Sequence, residues 1–188
     1  MEPSFLSGQM LIAMPGITDP RFERALLLIC AHDADHAMGL AVNRPLERVT
    51  VPDILEKLEI TVDIALPPDL VLLGGPVEQE RGFVLHTDDF ASEQAIDVGL
   101  EGVTLTATRE VLTALAKGDR RPRRSLLALG YAGWGAGQLE TEIRQNVWLT
   151  CDADEDLIFD HDYNGKWGRA LAKLGVDPKR LSSAAGRA

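Results

Sequence analysis

A glycine-rich segment carries the most pronounced chemical pattern of this sequence. The segment, Gly-Tyr-Ala-Gly-Trp-Gly-Ala-Gly-Gln-Leu-Glu, extends from Gly130 to Glu140 and separates a predicted strand from a predicted helix. Backbone amides in such a turn can bind a phosphate at the start of the helix. The third glycine of the dinucleotide-binding fingerprint is missing, and Glu140 and Glu142 would repel a pyrophosphate. The favoured interpretation is therefore structural, with glycines that let a helix pack closely on a sheet.

A thiol and two imidazoles are the candidates for nucleophilic catalysis. Cys30 and His32 lie two residues apart in a predicted strand, so both side chains are expected on one face. His86 is an alternative general base. A buried and unreactive thiol is the favoured interpretation of Cys30, because thiols in apolar runs are usually protonated and enclosed.

Four side chains of metal-ligand type fall within a short predicted turn: His32, Asp33, Asp35 and His36. Polar residues are common in turns for conformational reasons, and nothing in the spacing obliges these side chains to converge. We therefore predict no metal site and no cofactor.

The charge balance limits the classes of partner. The chain has 29 acidic and 19 basic side chains, giving a net charge of −10, and an acidic protein repels the phosphates of nucleic acids. The segment from Arg120 to Arg124 holds four arginines around a proline, and we interpret it as a solvated loop. Direct nucleic-acid binding is disfavoured.

Hydrophobic patterning predicts a mixed sheet with a few helices. Strands are predicted at 5–14, 25–30, 38–42, 70–73, 81–87, 103–107, 125–129 and 147–151. Helices are predicted at 52–58, 108–117, 136–146 and 165–174, the second capped by Thr108 and ended by Gly118. Strands that are both adjacent and separated by helices favour an α+β fold, and the length favours one domain over residues 1–188.

The sequence predicts a cytoplasmic protein. No apolar run approaches the roughly 18 residues that a membrane helix requires. The start, Met1 to Ser4, carries an acid where a secretory signal has basic residues. Cys30 and Cys151 each lie in an apolar run and are expected to be free thiols.

Several blocks of sequence, taken together and in order, carry a resemblance across nearly the whole chain. They are 8–15, 38–45, 74–77, 81–86, 129–140 and 146–149, followed by Trp167. In these blocks the chain resembles one bacterial family, YqgE/AlgH, whose members are mostly uncharacterised and in part labelled transcriptional regulators. The resemblance implies a mixed, partly barrel-like α+β sheet with flanking helices and no established cofactor or reaction. The chain departs from the family pattern at His36, where a glycine is usual.

Polar and glycine residues of these blocks define a predicted ligand surface. The first hypothesis is a binding or regulatory module for a small molecule or protein partner of unknown identity, with any effect on transcription indirect. The alternative is an enzyme that uses Cys30 or His86 with Glu142 as acid or base. Both hypotheses require the fold to gather distant residues on one concave face. The predicted ligand-binding residues are Asn43, Arg44, Gly74, Gly75, His86, Trp134, Gln138 and Glu142.

Overall fold

Ten strands and five helices form the described part of the molecule. The structure is a computed structural model that describes residues 5–118 and 120–179, so the interpretation of Met1 to Ser4 concerns residues outside it. The strands are β1 (Gln9–Ala13), β2 (Leu26–His32), β3 (His36–Ala41), β4 (Pro45–Thr50), β5 (Leu70–Leu73), β6 (Val77–Thr87), β7 (Ile96–Asp97), β8 (Val103–Thr106), β9 (Ser125–Gly135) and β10 (Trp148–Asp152). The helices are α1 (Val51–Lys57), α2 (Arg109–Lys117), α3 (Gln138–Arg144), α4 (Glu155–Phe159) and α5 (Tyr163–Lys173).

Strand β9 is the centre of the sheet. The main strand order is β10-β1-β2-β3-β9-β6-β8-β7, and β4 joins through β5. Along one edge, β9 pairs antiparallel with β6, and its partners on the other edge are β3, antiparallel, and β5, parallel. One sheet thus combines parallel and antiparallel neighbours with helices on its faces, which confirms the α+β prediction.

The continuous apolar runs of β1 and β2 are explained by burial on both faces. Met10 and Ile12 pack in one hydrophobic cluster with residues of α4 and α5, while Leu11 and Ala13 pack in a second cluster with α3. A third cluster lies between β6, β9 and α2. Because successive side chains of a strand alternate between faces, a strand covered on both sides has no polar positions.

The helix ends follow from local sequence. Thr50 and Asp53 form a reciprocal capping box at the start of α1. At the C-terminus of α2, Gly118 adopts the left-handed conformation with φ 72°, which confirms the prediction that it ends this helix. Among the described residues no helix is long and apolar enough to cross a membrane.

The prediction of a glycine-rich turn between a strand and a helix is wrong for most of that segment. Residues from Gly130 to Gly135 continue β9, and those from Ala132 to Gly135 pair with β3, with Gly135 opposite His36. The chain turns only at Gly137, whose φ is 70°, and α3 begins at the next residue. The prediction also omitted the irregular strand β4 and the short helix α4.

Candidate functional site

Gly74 and Gly75 lie where the chain between β5 and β6 contacts the backbone of β9. A Cβ atom at Gly74 would stand 2.3 Å from the carbonyl oxygen of Gly130, and one at Gly75 would stand 2.1 Å from the carbonyl carbon of Tyr131. Such distances are far below van der Waals contact, so any larger residue would displace the strand. Both glycines are therefore required for close backbone packing.

Asn43 and Arg44 fasten the loop between β1 and β2 to the end of β3. The Asn43 side chain accepts a hydrogen bond from the Leu26 amide at 3.0 Å and donates to the Arg24 carbonyl at 2.8 Å. The Arg44 guanidinium donates to the carbonyls of Glu23 at 3.0 Å and Pro20 at 2.5 Å. These contacts hold the loop in place and fix the direction of the Arg44 side chain.

Two cavities meet at Arg44, and we call them the glycine cavity and the tryptophan cavity. The glycine cavity measures about 250 Å³ and includes Phe22, Gly74 and Gly75 in its wall. The tryptophan cavity measures about 360 Å³ and includes Asn43 and Trp167. Arg44 and Leu73 line both cavities.

The surroundings of Arg44 are basic although the chain is acidic. Arg21 lines the glycine cavity and Arg24 lines the tryptophan cavity, where its guanidinium lies 4.4 Å from the centre of a Trp167 ring. Arg21 forms an ion pair with Asp19, and the hydrogen bond from Arg21 lowers the pKa of the Asp19 carboxyl. Glu23 is the acidic residue that lines the tryptophan cavity. Anions are the ligands that this arrangement favours.

His86 is a core residue of the folded protein. It has no exposed surface, and its Nδ1 and Nε2 atoms lie 2.8 Å from the Thr87 carbonyl oxygen and the Thr106 hydroxyl, respectively. A histidine with both ring nitrogens engaged and no access to solvent cannot receive a proton from a substrate in this conformation.

Glu142 is the acceptor of a cluster of side-chain donors on α3 and the neighbouring strands. The indole N–H groups of Trp134 and Trp148 donate to its Oε1 atom at 3.3 and 3.0 Å, and the Gln138 amide donates to Oε2 at 3.0 Å. The Gln138 carbonyl in turn accepts from the Gly135 amide at 3.0 Å. We call these four side chains the indole–carboxylate cluster. These hydrogen bonds give Trp134, Gln138 and Glu142 a structural role.

Cys30 and His32 do not share a face, so the prediction that they do is wrong. A β-bulge between Ile29 and Ala31 interrupts the alternation of β2. Cys30 packs in the first hydrophobic cluster, whereas His32 turns toward α3 and bonds the Glu140 carboxylate through Nε2. Burial raises the pKa of Cys30 to about 12, which disfavours a thiolate nucleophile.

His32 is held from two sides in one tautomer. Its Nδ1 atom accepts a hydrogen bond from the Leu6 amide at 2.9 Å, so the ring proton of the neutral form lies on Nε2 and points at Glu140. Burial tends to raise the pKa of Glu140, but hydrogen bonds from its own backbone and from His32 lower it. The contact joins β2 to α3.

The remaining charged segments are paired at the surface. Arg123 forms an ion pair with Glu155, and Arg124 does so with Asp156 at 2.7 Å. Asp33 accepts hydrogen bonds from the amides of Asp35 and His36, as in an ordinary polar turn. Among residues 5–118 and 120–179 no group of three histidine, cysteine or acidic side chains has the geometry of a metal site.

A buried lysine was missed at the sequence level. Lys166 has no exposed surface, and its Nζ atom donates to the carbonyls of Val42 at 3.0 Å and Ile158 at 2.6 Å. Burial lowers its pKa to about 7. Its position four residues before the buried Ala170 was the available signal, since both lie on one side of α5.

A third and larger cavity lies between α1, α2 and the sheet, away from the predicted residues. We call it the α1–α2 cavity. It measures about 530 Å³, and its floor is formed by β6, β8 and β9. Thr108, the N-terminal cap of α2, lines it without making a side-chain cap hydrogen bond. The Thr108 hydroxyl is buried, and within the described residues it has no hydrogen-bond partner.

The Thr108→Val variant is expected to be more stable than the parent protein. Valine has nearly the same shape, and removing an unpaired buried hydroxyl relieves a desolvation penalty of about 1 kcal/mol. Thr50→Val is the matched control at the start of α1, where the hydroxyl accepts from the Asp53 amide. Loss of that cap lowers stability by about 1 kcal/mol. Urea unfolding monitored by circular dichroism measures both changes, and a loss of stability in Thr108→Val would contradict the prediction.

The structure thus distributes the predicted residues over three places. Asn43, Arg44, Gly74 and Gly75 surround the two cavities at Arg44. His86 lies in the core beside β8, and the others belong to the indole–carboxylate cluster. The first set is brought together at an open surface, and its role in ligand binding stays a prediction.

Comparison with known proteins places the chain in a family. A family model described as AlgH-like matches residues 10–179, and the chain belongs to this family. A UPF0301 protein of Caulobacter vibrioides is 63% identical over 187 residues, covering 100% of this chain and 96% of the relative. A UPF0301 protein of Methylobacterium nodulans is 50% identical over 192 residues, covering 98% and 91%. The predicted family resemblance is confirmed.

Solved structures share the fold. The solution structure of the AlgH protein from Pseudomonas aeruginosa has a TM-score of 0.76 and 38% identity, covering 100% of this chain and 98% of that one. A crystal structure of a protein from Corynebacterium diphtheriae has a TM-score of 0.73 at 18% identity, covering 97% and 94%, and shows the fold alone. The predicted partly barrel-like sheet with flanking helices is confirmed, since the sheet curls into a half-barrel.

Proposed function

We propose that this protein is a cytoplasmic binding module of the AlgH-like family and that it binds a small anionic molecule at Arg44. Any influence on transcription is indirect and follows from ligand binding. The observation that supports the proposal is the position of Arg44, which lines two adjoining cavities while two carbonyl contacts hold its guanidinium in place.

A pre-oriented guanidinium is well suited to a carboxylate or phosphate. Its planar array of N–H donors matches the oxygens of these groups, and a side chain already fixed loses little entropy on binding. The described contacts use two N–H groups of Arg44, one on each terminal nitrogen. Arg24 adds positive charge on the side of the tryptophan cavity, whereas the charge of Arg21 is compensated by its ion pair with Asp19.

Ligand binding agrees better with this geometry than catalysis does. Cys30 and His86 are enclosed, and Glu142 bonds two indoles and an amide. The enzyme hypothesis would require these groups to leave their partners before they could meet a substrate. Binding at Arg44 requires no such change.

Titration of ¹⁵N-labelled protein with inorganic phosphate and with succinate tests the proposal. We expect saturable chemical-shift changes of the Gly74 and Gly75 amides at up to millimolar anion, with an affinity that falls as salt is added. Arg44→Lys should keep the fold and lose most of the binding, because a single ammonium cannot replace the bidentate guanidinium.

Arg81→Lys is the matched control. Arg81 is an arginine of β6 that lies outside both cavities and forms a surface contact with Glu78 at 3.5 Å. The control should bind both anions as the parent does. Unchanged Gly74 and Gly75 amides throughout the titration, or equal binding by Arg44→Lys, would refute a binding role for Arg44.

A further inference from the structure

The α1–α2 cavity is large enough to hold a ligand of its own. Its volume of about 530 Å³ falls in the range of roughly 300–1,000 Å³ that small-molecule sites occupy. Val84, Leu127 and Leu129 of the sheet and Leu112 of α2 contribute apolar side chains to its lining. A cavity with such walls favours a hydrocarbon or aromatic body.

Gly82 of β6 leaves open space in this cavity, and no close contact excludes a side chain at its position. A Cβ atom there would stand 3.7 Å from Cδ1 of Leu127 and 3.8 Å from Cδ2 of Leu129, which are ordinary contact distances. Its backbone is not left-handed either, in contrast to seven other glycines of the described chain. Gly82 is the residue at which β6 resumes its pairing with β9 after a register shift, and its missing side chain leaves space in the cavity.

The polar groups at the cavity favour a negative charge on the ligand. Lys57 in the last turn of α1 and Arg109 at the start of α2 both line it, and Glu80 is the acidic residue in its lining. Arg109 is fixed by a hydrogen bond of 2.7 Å to the Leu58 carbonyl. The first amides of α2 add to the positive potential, since Thr108 makes no side-chain cap bond to them.

One acidic side chain on α2 opposes this potential at a distance from the cavity lining. Glu110 lies in the first turn of α2, where its Oε2 atom accepts from the Ser92 hydroxyl at 3.0 Å. Neither Glu110 nor Ser92 is among the residues that line the cavity. The lining itself retains two basic residues against one acidic residue.

We propose that the α1–α2 cavity binds a small amphipathic anion, with an aliphatic or aromatic body against β6 and β9 and a carboxylate or similar group near Lys57 and Arg109. This site is distinct from the anion site at Arg44, with which it shares no basic residue, although Gln79 lines both this cavity and the glycine cavity. It extends the protein's binding function to ligands with a hydrophobic part.

Decanoate and decanol are the probes for this site. Both have the same hydrocarbon chain, and decanoate alone carries the charge. In titrations of ¹⁵N-labelled protein followed by amide chemical shifts, decanoate should perturb the amides of Gly82, Thr108 and Leu127. Decanol should bind at the same place at least about fivefold more weakly, because it lacks the charge–charge attraction. Absence of saturable shifts at these amides with decanoate would overturn the proposal.

The Gly82→Val variant tests whether the open space is the site. Valine suits a strand and would occupy part of the cavity, so the variant should be at least as stable as the parent and bind decanoate roughly tenfold more weakly. Gly82→Ala, which adds a single methyl group at contact distance, serves if valine prevents folding. Equal decanoate affinity in a folded Gly82 variant would overturn the assignment.

A double variant that removes two positive charges distinguishes the contribution of the carboxylate to decanoate binding from that of the hydrocarbon chain. Lys57→Gln combined with Arg109→Gln should weaken decanoate binding to the level of decanol and leave decanol unchanged. Lys117→Gln, at the far end of α2, is the matched control and should alter neither affinity. Decanoate-induced shifts confined to the Gly74 and Gly75 amides would assign decanoate to the Arg44 site and exclude the α1–α2 cavity. If phosphate and succinate do not bind at Arg44, the decanoate results for the α1–α2 cavity keep their meaning.

Discussion

Replacing Glu142 with alanine is expected to lower the free energy of unfolding by about 3–5 kcal/mol. The carboxylate of Glu142 accepts from Trp134, Trp148 and Gln138, and both indoles are almost completely buried. Alanine removes all three interactions and leaves two indole N–H groups without an acceptor in the interior. A buried donor that loses its partner costs more than the net value of the bond it made. Guanidinium unfolding followed by tryptophan fluorescence measures the change.

Two further variants show whether the charge and the position matter. Glu142→Gln keeps one carbonyl oxygen for the indoles but presents an amide to the Gln138 amide, so a smaller loss of about 1–3 kcal/mol is expected. Arg144→Ala lies on the same helix with an exposed side chain and should change stability by less than about 0.5 kcal/mol. If Glu142→Ala behaves like Arg144→Ala, the cluster does not stabilise the fold.

The strands of the core could be predicted because their signal is local. The apolar run that contains Leu26, Leu28 and Cys30 is continuous since both faces of β2 are buried. The C-terminal end of α2 was equally clear, because Gly118 adopts a left-handed conformation that few other residues adopt readily. In each case the decisive information lies within a few residues of the position concerned.

The glycine-rich segment could not be assigned from its own residues. Glycines occur both in turns and in strands approached closely by another backbone, and Gly130 belongs to the second kind, since a Cβ atom there would stand 2.4 Å from the carbonyl oxygen of Gly75. The approaching backbone includes Gly75, more than fifty residues earlier in the chain. A local pattern does not contain this contact, so the sequence predicted a turn where the structure has a strand.

The predicted site was divided for the same reason. His86 was assigned to a polar surface, yet Thr104 and Thr106 of the adjacent strand supply the hydroxyl groups that let it be buried. Asn43, Arg44, Gly74 and Gly75 lie near one another because β3 and β5 pair with successive stretches of β9. The α1–α2 cavity had no local signal, since an empty volume is defined by residues from five separate elements.

Lys166 is expected to make the stability of the protein rise with pH above neutrality. Burial lowers its pKa to about 7 from the ordinary lysine value of 10.5, an effect that Asp160 partly opposes. Between these values the unfolded chain binds the proton that the folded protein has lost, so a rise in pH favours the folded state. The slope approaches about 1.4 kcal/mol per pH unit. Below pH 7 both states carry the charge, and the contribution of Lys166 becomes constant.

Urea unfolding at intervals from pH 7 to about 8 measures this slope and stays below the pKa of about 8.5 of thiols in an unfolded chain. That upper limit matters because burial raises the pKa of Cys30 and Cys151, and raised thiol pKa values decrease stability as pH rises further. Lys166→Met should remove the rise of stability with pH. Lys173→Met, on the same helix as Lys166, loses only a partly exposed contact with Asp154 and should keep the rise. Only a lysine that is neutral in the folded protein gives this difference between the variants. An identical slope in Lys166→Met and the parent would show that Lys166 stays protonated despite its burial.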